Sequence, residues 1–497
     1  MNGPENRKLL FWEGMVMEKS EMSQSTNGKN TRIEKDSMGP LEVPAEAYYG
    51  VQTLRAMHNF PISGQPMPET FIRAHALLKK AAAITNRQLG LLDGRLAQAI
   101  ADAADEIASG KLADQFPIDI YQTGSGTSTN MNVNEVIASR ANELLGGKRG
   151  DKSPVHPNDH VNMGQSSNDT IPTTLHVAAL VEIKKVLRPG LEQLENALLK
   201  QKVATWEVIK TGRTHLQDAT PIRMGQEFLG FAGQIERAGR RLQTAENELS
   251  ELALGGTAVG TGINAHPKFA AEVCLLLSSW LGIHVHETTN HFQAQSTLDG
   301  LAFASGVMKN IAISLTKIAN DIRWMSCGPR SGLGEIEIPA VQPGSSIMPG
   351  KVNPVIAESV LMVCQRVFGN DTTVTAAAVS GNFELIVAMP VAGAALLESI
   401  RLLGNASANL AAQCIVGIKP TRHGPELVEA GLMLATALAP VIGYEMAASL
   451  AKEAASKGQT IREVASARTQ LSAAQLSELL DPATMVDPSD RVLPISG

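Results

Sequence analysis

The chain has 497 residues, 44% of them apolar and 19% charged, with a formal net charge of −6. This is the balance of a globular protein with length for a large core. It excludes the basic stripe that nucleic acid requires, so no nucleic-acid partner is expected.

Aromatic residues make up only 4%, while alanine and leucine abound, which favours helix on helix over a sandwich or barrel. Cys274, Cys327, Cys364 and Cys414 show neither CxxC nor CxxxxC spacing. Neither a disulfide framework nor a thiolate zinc site is expected, and a reducing, cytoplasmic location follows. No apolar run reaches the roughly 18 residues of a membrane span, so no membrane partner is expected.

Residues 1–32 mix both charges and lack the apolar core of a signal peptide, and are expected to form a disordered tail. Residues 36–68, rich in Gly and Pro, predict an irregular segment. Helical patterns follow at 71–89, 96–109 and 135–145, then a Gly/Pro/Asn loop over 146–164 and a long helix over 174–202. From Phe228 the apolar positions run Phe231, Ile235, Ala238, Leu242, Ala245, Leu249 and Leu252, alternating by three and four. The same alternation recurs in Leu301, Ala304, Met308, Ile311, Leu315, Ile318, Ile322 and Met325. With another helix over 388–413, these rods predict a bundle of long helices running side by side. Beyond 420 the pattern shortens into helices at 425–438, 445–456 and 461–467. The expected division is 33–164, 165–420 and 421–497, with no strand–helix alternation and no doubly wound sheet.

The polar chemistry sits in loops. TGSGTSTNMNVN (123–134), GQSSNDTIP (164–172) and GSSIMPGKVNP (344–354) are neutral, donor-rich stretches, each leading into a helix start. In the second, Asp169 or Thr170 is the expected N-cap and Pro172 a first-turn proline. Capping alone accounts for one such loop; three together favour a small polyanion held at helix N-termini without a metal. A fourth stretch, GRTHLQDATP (212–221), reads as a loop between long helices, with His215 as candidate acid/base group. His284, His286, His291 and Glu287 fit no zinc spacing, and His156 and His160 flank Pro157 and so share no regular helical face. GSSIMPGK is no P-loop either: five residues separate Gly344 from Gly350, and Val352 follows Lys351 where Ser or Thr would hold magnesium. No cofactor and no metal are expected.

GSSIMPGKVNP resembles the signature loop of the fumarase/aspartase superfamily, and TGSGTSTNMNVNEV and GRTHLQDATPIRMGQEF resemble its two other signature regions. The likeness runs from about residue 33 to the end of the C-terminal domain. It is greatest to the class II, metal-independent fumarases, through His215 in GRTH, Ser167 and Thr170 in GQSSNDT, and Gly350 in PGKVNP. YYGVQTLRAMHNF (48–60) is closer to aspartases, and 290–300 departs from the fumarase pattern, which leaves aspartate ammonia-lyase as the alternative.

The resemblance implies an all-α fold of three domains whose central bundle forms a tetramer around a 20-helix core, with each active site shared between three subunits. It implies reversible hydration of fumarate to L-malate, a step of the tricarboxylic acid cycle, through an aci-carboxylate intermediate. Ser345 would take the C3 proton with help from Lys351, and His215, oriented by Glu358, would protonate the departing hydroxyl. Ser125, Thr127, Asn130, Ser166, Ser167, Asn168, Thr214 and Asn353 would bind the dicarboxylate. His156, Asn158 and Asp159 match a second anion site of fumarases.

Overall fold

The computed structural model describes residues 30–487, so most of the expected N-terminal tail lies outside the described residues. Thr31 and Arg32, expected to belong to the tail, lie in a strand. Strand Thr31–Asp36 pairs antiparallel with Gly39–Pro44, and helix Val51–Asn59 follows, so the segment read as irregular is regular in part. Its helix lacks a cap of its own. Glu135, from a distant helix, accepts the backbone N–H groups of Gly50, Gln52 and Thr53 at 2.9–3.1 Å and the Thr53 hydroxyl at 2.7 Å. A buried carboxylate on otherwise unpaired helix-end donors satisfies groups that the sequence alone leaves open.

The chain divides into two compact units, each discontinuous in sequence. One comprises the residues up to Leu175 together with Leu252–Thr297 and Gly381–Pro390. Here helix Glu69–Gln88 packs against Gly94–Ala108 and Phe269–Leu281, and Gly94–Ala108 packs against Thr127–Leu144. The helix expected from residue 135 starts eight residues earlier, at Thr127. Ser, Thr and Asn are weak helix formers that compete with the backbone for hydrogen bonds. From Thr129 onward in this helix they are buried, and several have other partners: Thr129 donates to Gln122 Oε1, Asn132 to the Gln115 carbonyl and Asn134 to Asn162 Oδ1.

The other unit comprises His176–Glu251, Leu298–Ser380 and the residues from Val391 onward. Helix Met224–Leu249 packs against Arg188–Ala204 and against Asp299–Met325, which in turn packs against Val355–Ala378. Every residue of the two heptad seams named above is buried. Each such Leu, Ile or Met contributes roughly 1.5–3 kcal/mol through burial. The seam is what makes these rods a bundle rather than isolated helices. A separate small core joins Val428, Leu434, Leu438, Leu450, Ile461, Val464 and Leu476 under the short C-terminal helices.

Residues 209–223, expected to be a loop between helices, form a hairpin of strands Ile209–Thr214 and Gln217–Arg223. It lacks the apolar alternation that announces strands, and its two-residue turn is His215–Leu216, without Gly or Asn. The described residues otherwise hold only three further two-stranded sheets, so the architecture is all-α in substance. Among the described residues no single helix is long and apolar enough to cross a membrane.

Candidate active site

Two of the polar loops meet in the first unit. Helices Thr127–Leu144 and Ser167–Glu182 both begin here, and the hydroxyl oxygens of their first residues, Thr127 and Ser167, are 2.7 Å apart. Ser125 extends the chain of hydroxyls, its Oγ 2.8 Å from Thr127 Oγ1. Two positive helix ends and three reorientable hydroxyls at one point make a neutral surface suited to a carboxylate.

The second loop is fixed from behind. Asp169, fully buried, accepts the backbone N–H of Ser166 at 2.9 Å with one oxygen and those of Gly255 and Thr257 at 3.1 and 2.9 Å with the other. Burial pushes its carboxyl up to about 6, against the pull of those three amides and of Lys79. Asn168 donates to the Ala258 carbonyl at 2.8 Å, and its own N–H donates to Ser166 Oγ.

Asn130 faces inward. Its Oδ1 receives Lys79 Nζ at 2.7 Å and lies 3.0 Å from His75 Nε2, while its Nδ2 donates to Asn162 Oδ1. Lys79 also donates to Asn162 Oδ1 at 3.0 Å and Gln165 Oε1 at 2.9 Å. Its ammonium therefore sits on three amide oxygens, and burial pushes its pKa down to about 7 although Asp169 pulls the other way. Burial first, then the Lys79 charge, holds the fully buried His75 ring well below the ordinary histidine range, so it is neutral. Lys79, His75 and the supporting role of Asp169 escaped the sequence reading. The available signal was helical phase, because Lys79 falls three and four residues from buried Ala82, Ala83, Ala76 and His75.

His156, Asn158 and Asp159 gather around a π-helical turn, Pro157–Val161. His156 Nδ1 accepts the N–H groups of Asn158 and Asp159 at 3.3 and 3.2 Å. His156 and Asn158 share a cavity of about 540 Å³ with Thr127, Ser128, Arg55 and Lys152, so Thr127 lines one space with two residues of the expected second anion site.

The remaining candidates lie in the other unit. His215 is exposed at the hairpin tip, and Thr214 and Gln217 close the turn as its last strand pair. The serine loop is a closed ring: the Gly344 N–H donates to the Lys351 carbonyl at 2.8 Å, and Asn353 Nδ2 donates to the Gly344 carbonyl at 2.7 Å. Inside it Ser345 Oγ accepts the N–H groups of Ile347 and Met348 at 3.2 and 3.0 Å. Lys351 is exposed, and Glu358 stands in the first turn of helix Val355–Ala378. His215 and Glu358 make no hydrogen bond or ion pair with each other in this single chain.

A family profile described as "Lyase" matches residues 39–369, and one described as "Fumarase C C-terminus" matches 434–487. "Fumarate hydratase class II" of Neisseria meningitidis is 50% identical over 463 residues, covering 92% of this chain and 100% of that protein. The chain belongs to the class II fumarase family. "Fumarate hydratase class II" of Bordetella parapertussis is 49% identical over 458 residues, 92% of this chain and 99% of that one. The crystal structure of a recombinant class II fumarase from Schistosoma mansoni superposes with a TM-score of 0.90 at 39% identity, covering 92% and 99% of the two chains. The all-α expectation and the family resemblance both hold.

Proposed function

We propose that the chain is a fumarate hydratase, interconverting fumarate and L-malate, and that its site works as follows. The observation that carries the mechanism is Ser345 Oγ receiving two backbone N–H groups inside a closed loop. A free serine hydroxyl is too weak an acid to serve as a base on carbon. Oriented amides that stabilise the alkoxide, with the Lys351 ammonium on the same ring, lower that barrier.

From malate, Ser345, as the alkoxide left when its hydroxyl proton passes to solvent, takes the C3 proton, and the electron pair moves into the adjacent carboxylate, giving a doubly charged aci-form. The C2–OH bond then breaks, His215 supplies the proton, and water leaves. Glu358 steadies the resulting charge cycle at His215. Lys351 and Asn353 bind the carboxylate that gains charge, and Thr214 lies beside His215 to bind substrate. Ser125, Thr127, Ser166, Ser167 and Asn168 hold the dicarboxylate through hydroxyl and amide donors at the paired helix ends. Asn130 orders that surface from behind, and His156, Asn158 and Asp159 form a second anion site.

The active form is a homotetramer with sites shared between subunits. Leu229, Phe303, Ile313, Trp324 and Met362 are exposed on the long helices, which supports lateral packing against further copies. A cytoplasmic location is supported by four free cysteines, three of them buried. The deciding experiment follows fumarate by ultraviolet absorbance with malate or aspartate as substrate, alongside the solution mass. Malate turnover by a four-chain species is expected. Turnover of aspartate alone would transfer the protein to the ammonia-lyases, and a fully active monomer would sink the shared site.

A further inference from the structure

Two residues before His215, the side chain of Arg213 reaches a carboxylate that no motif marks. Arg213 Nη1 donates to Glu335 Oε1 at 2.7 Å, and Lys210 Nζ lies 2.8 Å from Glu335 Oε2. The second contact is an ion pair outside hydrogen-bond alignment, since Oε2 has no aligned donor. Lys210 also donates to both oxygens of Glu227, at 2.9 and 3.0 Å. The Glu335 side chain is 0% exposed, that of Lys210 2% and that of Arg213 14%. Removing one partner from such a buried group strands charge in a poorly solvated place.

The local geometry is specific. Residues three apart on a regular strand face opposite sides of the sheet. Lys210 and Arg213 nevertheless reach the same carboxylate, because the hairpin register shifts between Thr211 and Arg213, at Gly212. A Cβ on Gly212 would lie 2.7 Å from the Thr220 carbonyl oxygen, so this irregularity needs glycine. The glycine of the GRTH motif thereby serves to turn Arg213 toward Glu335.

Glu335 is itself rigidly held. Its N–H donates to the Met325 carbonyl at 2.8 Å, and its carbonyl accepts the Thr421 N–H at 2.9 Å. On either side, the Thr421 hydroxyl donates to the Gly334 carbonyl, and strand Ile336–Glu337 pairs with Lys419–Pro420. The chain then runs on to the serine loop, ten residues later.

We propose that Glu335 is a positioning residue for catalysis: its buried carboxylate clamps the His215 hairpin, through Lys210 and Arg213, to the segment that feeds the serine loop. The two consecutive positive-φ residues at the tip, His215 at +57° and Leu216 at +58°, are a conformation that surrounding contacts must impose. The inference rests on the reading of His215 as the acid/base group.

The test compares Glu335→Gln, Glu335→Asp and His215→Asn by steady-state kinetics, and measures amide hydrogen exchange in hairpin 209–223. Glu335→Gln is expected to lower kcat about tenfold to a hundredfold, the scale of a small misplacement of a catalytic group, with KM within about threefold. Glu335→Asp, which keeps the charge, recovers part of that loss. Hairpin exchange rises in Glu335→Gln while the assembled mass is unchanged. Unaltered hairpin exchange overturns the clamp, whatever His215 does, and so does a kcat within twofold of wild type when His215→Asn is inactive. If His215→Asn retains full turnover, the acid/base assignment fails; raised hairpin exchange in Glu335→Gln still establishes the clamp.

Discussion

Met348 donates its backbone N–H to the Ser345 hydroxyl oxygen at 3.0 Å, inside a ring that Gly344 and Lys351 close at 2.8 Å. With Ser345 as the proposed base, the donor points at the atom that becomes negative, and the bond strengthens as that hydroxyl loses its proton. Ser345→Ala removes that atom without disturbing packing, since the loop around it is largely exposed. Turnover is expected to fall about a thousandfold or more, within the range for a lost general base. Circular dichroism and solution mass should be unchanged. Substantial residual turnover would dismiss Ser345 as the base.

The same ring sets apart two glycines of one motif. A Cβ on Gly344 would sit 2.3 Å from the Lys351 carbonyl oxygen, whereas Gly350, at φ +80°, has nothing within 4 Å. Gly344→Ala must therefore open the ring that orients Ser345, and kcat is expected to drop about tenfold to a hundredfold. Gly350→Ala meets only backbone strain, roughly 1–2 kcal/mol, and should cost local stability more than rate. Equal losses in the two variants would mean that ring closure does not matter to the chemistry.

How far the sequence revealed this arrangement depends on what each signal encodes. Phe228 to Leu252 and Leu301 to Met325 were legible because burial along a rod imposes a spacing, and every one of those positions is buried. The start of helix Thr127–Leu144 was not, because Asn130, Asn132 and Asn134 are helical only through partners remote in sequence, such as Asn162 and Gln115. The hairpin at His215 was hidden because its strands are held by the Lys210–Glu335–Arg213 cluster rather than by alternating apolar residues. Signature loops mark the candidate substrate-facing residues; they are silent about the buried charges behind them.

Lys79 offers a pH test of one such buried charge. Its pKa lies at about 7 in the folded chain, far below the ordinary lysine range that applies when unfolded. Between those values the unfolded state binds more protons, so stability rises with pH across the window. This group's contribution is present above the unfolded pKa and is lost as pH falls toward 7. Lys79→Met lacks the titration and leaves the oxygens of Asn130, Asn162 and Gln165 without their shared donor, so it should be less stable throughout. The gap in thermal midpoint between wild type and variant is expected to widen from about pH 7 to about pH 10. A gap that stays constant would show that Lys79 does not titrate there.

The hairpin tip gives the sharpest opposition between stability and activity. Two-residue turns with both φ values positive are normally built from Asn or Gly, yet here they are His215 and Leu216. Leu216 is 59% exposed and gains little from burial, so Leu216→Asn relieves strain at small loss. It should raise the denaturant midpoint by an amount equivalent to about 0.5–1 kcal/mol, a part of the roughly 1–2 kcal/mol cost of a left-handed residue. His215→Asn relieves the neighbouring position by the same argument and should be stabilising too, but it removes the imidazole and with it about a hundredfold or more of turnover. Strain retained at the proposed acid/base residue is what selection for activity over stability would leave behind. Chemical denaturation of both variants beside their kinetics decides the matter: a destabilised His215→Asn with intact turnover would reverse it on both counts.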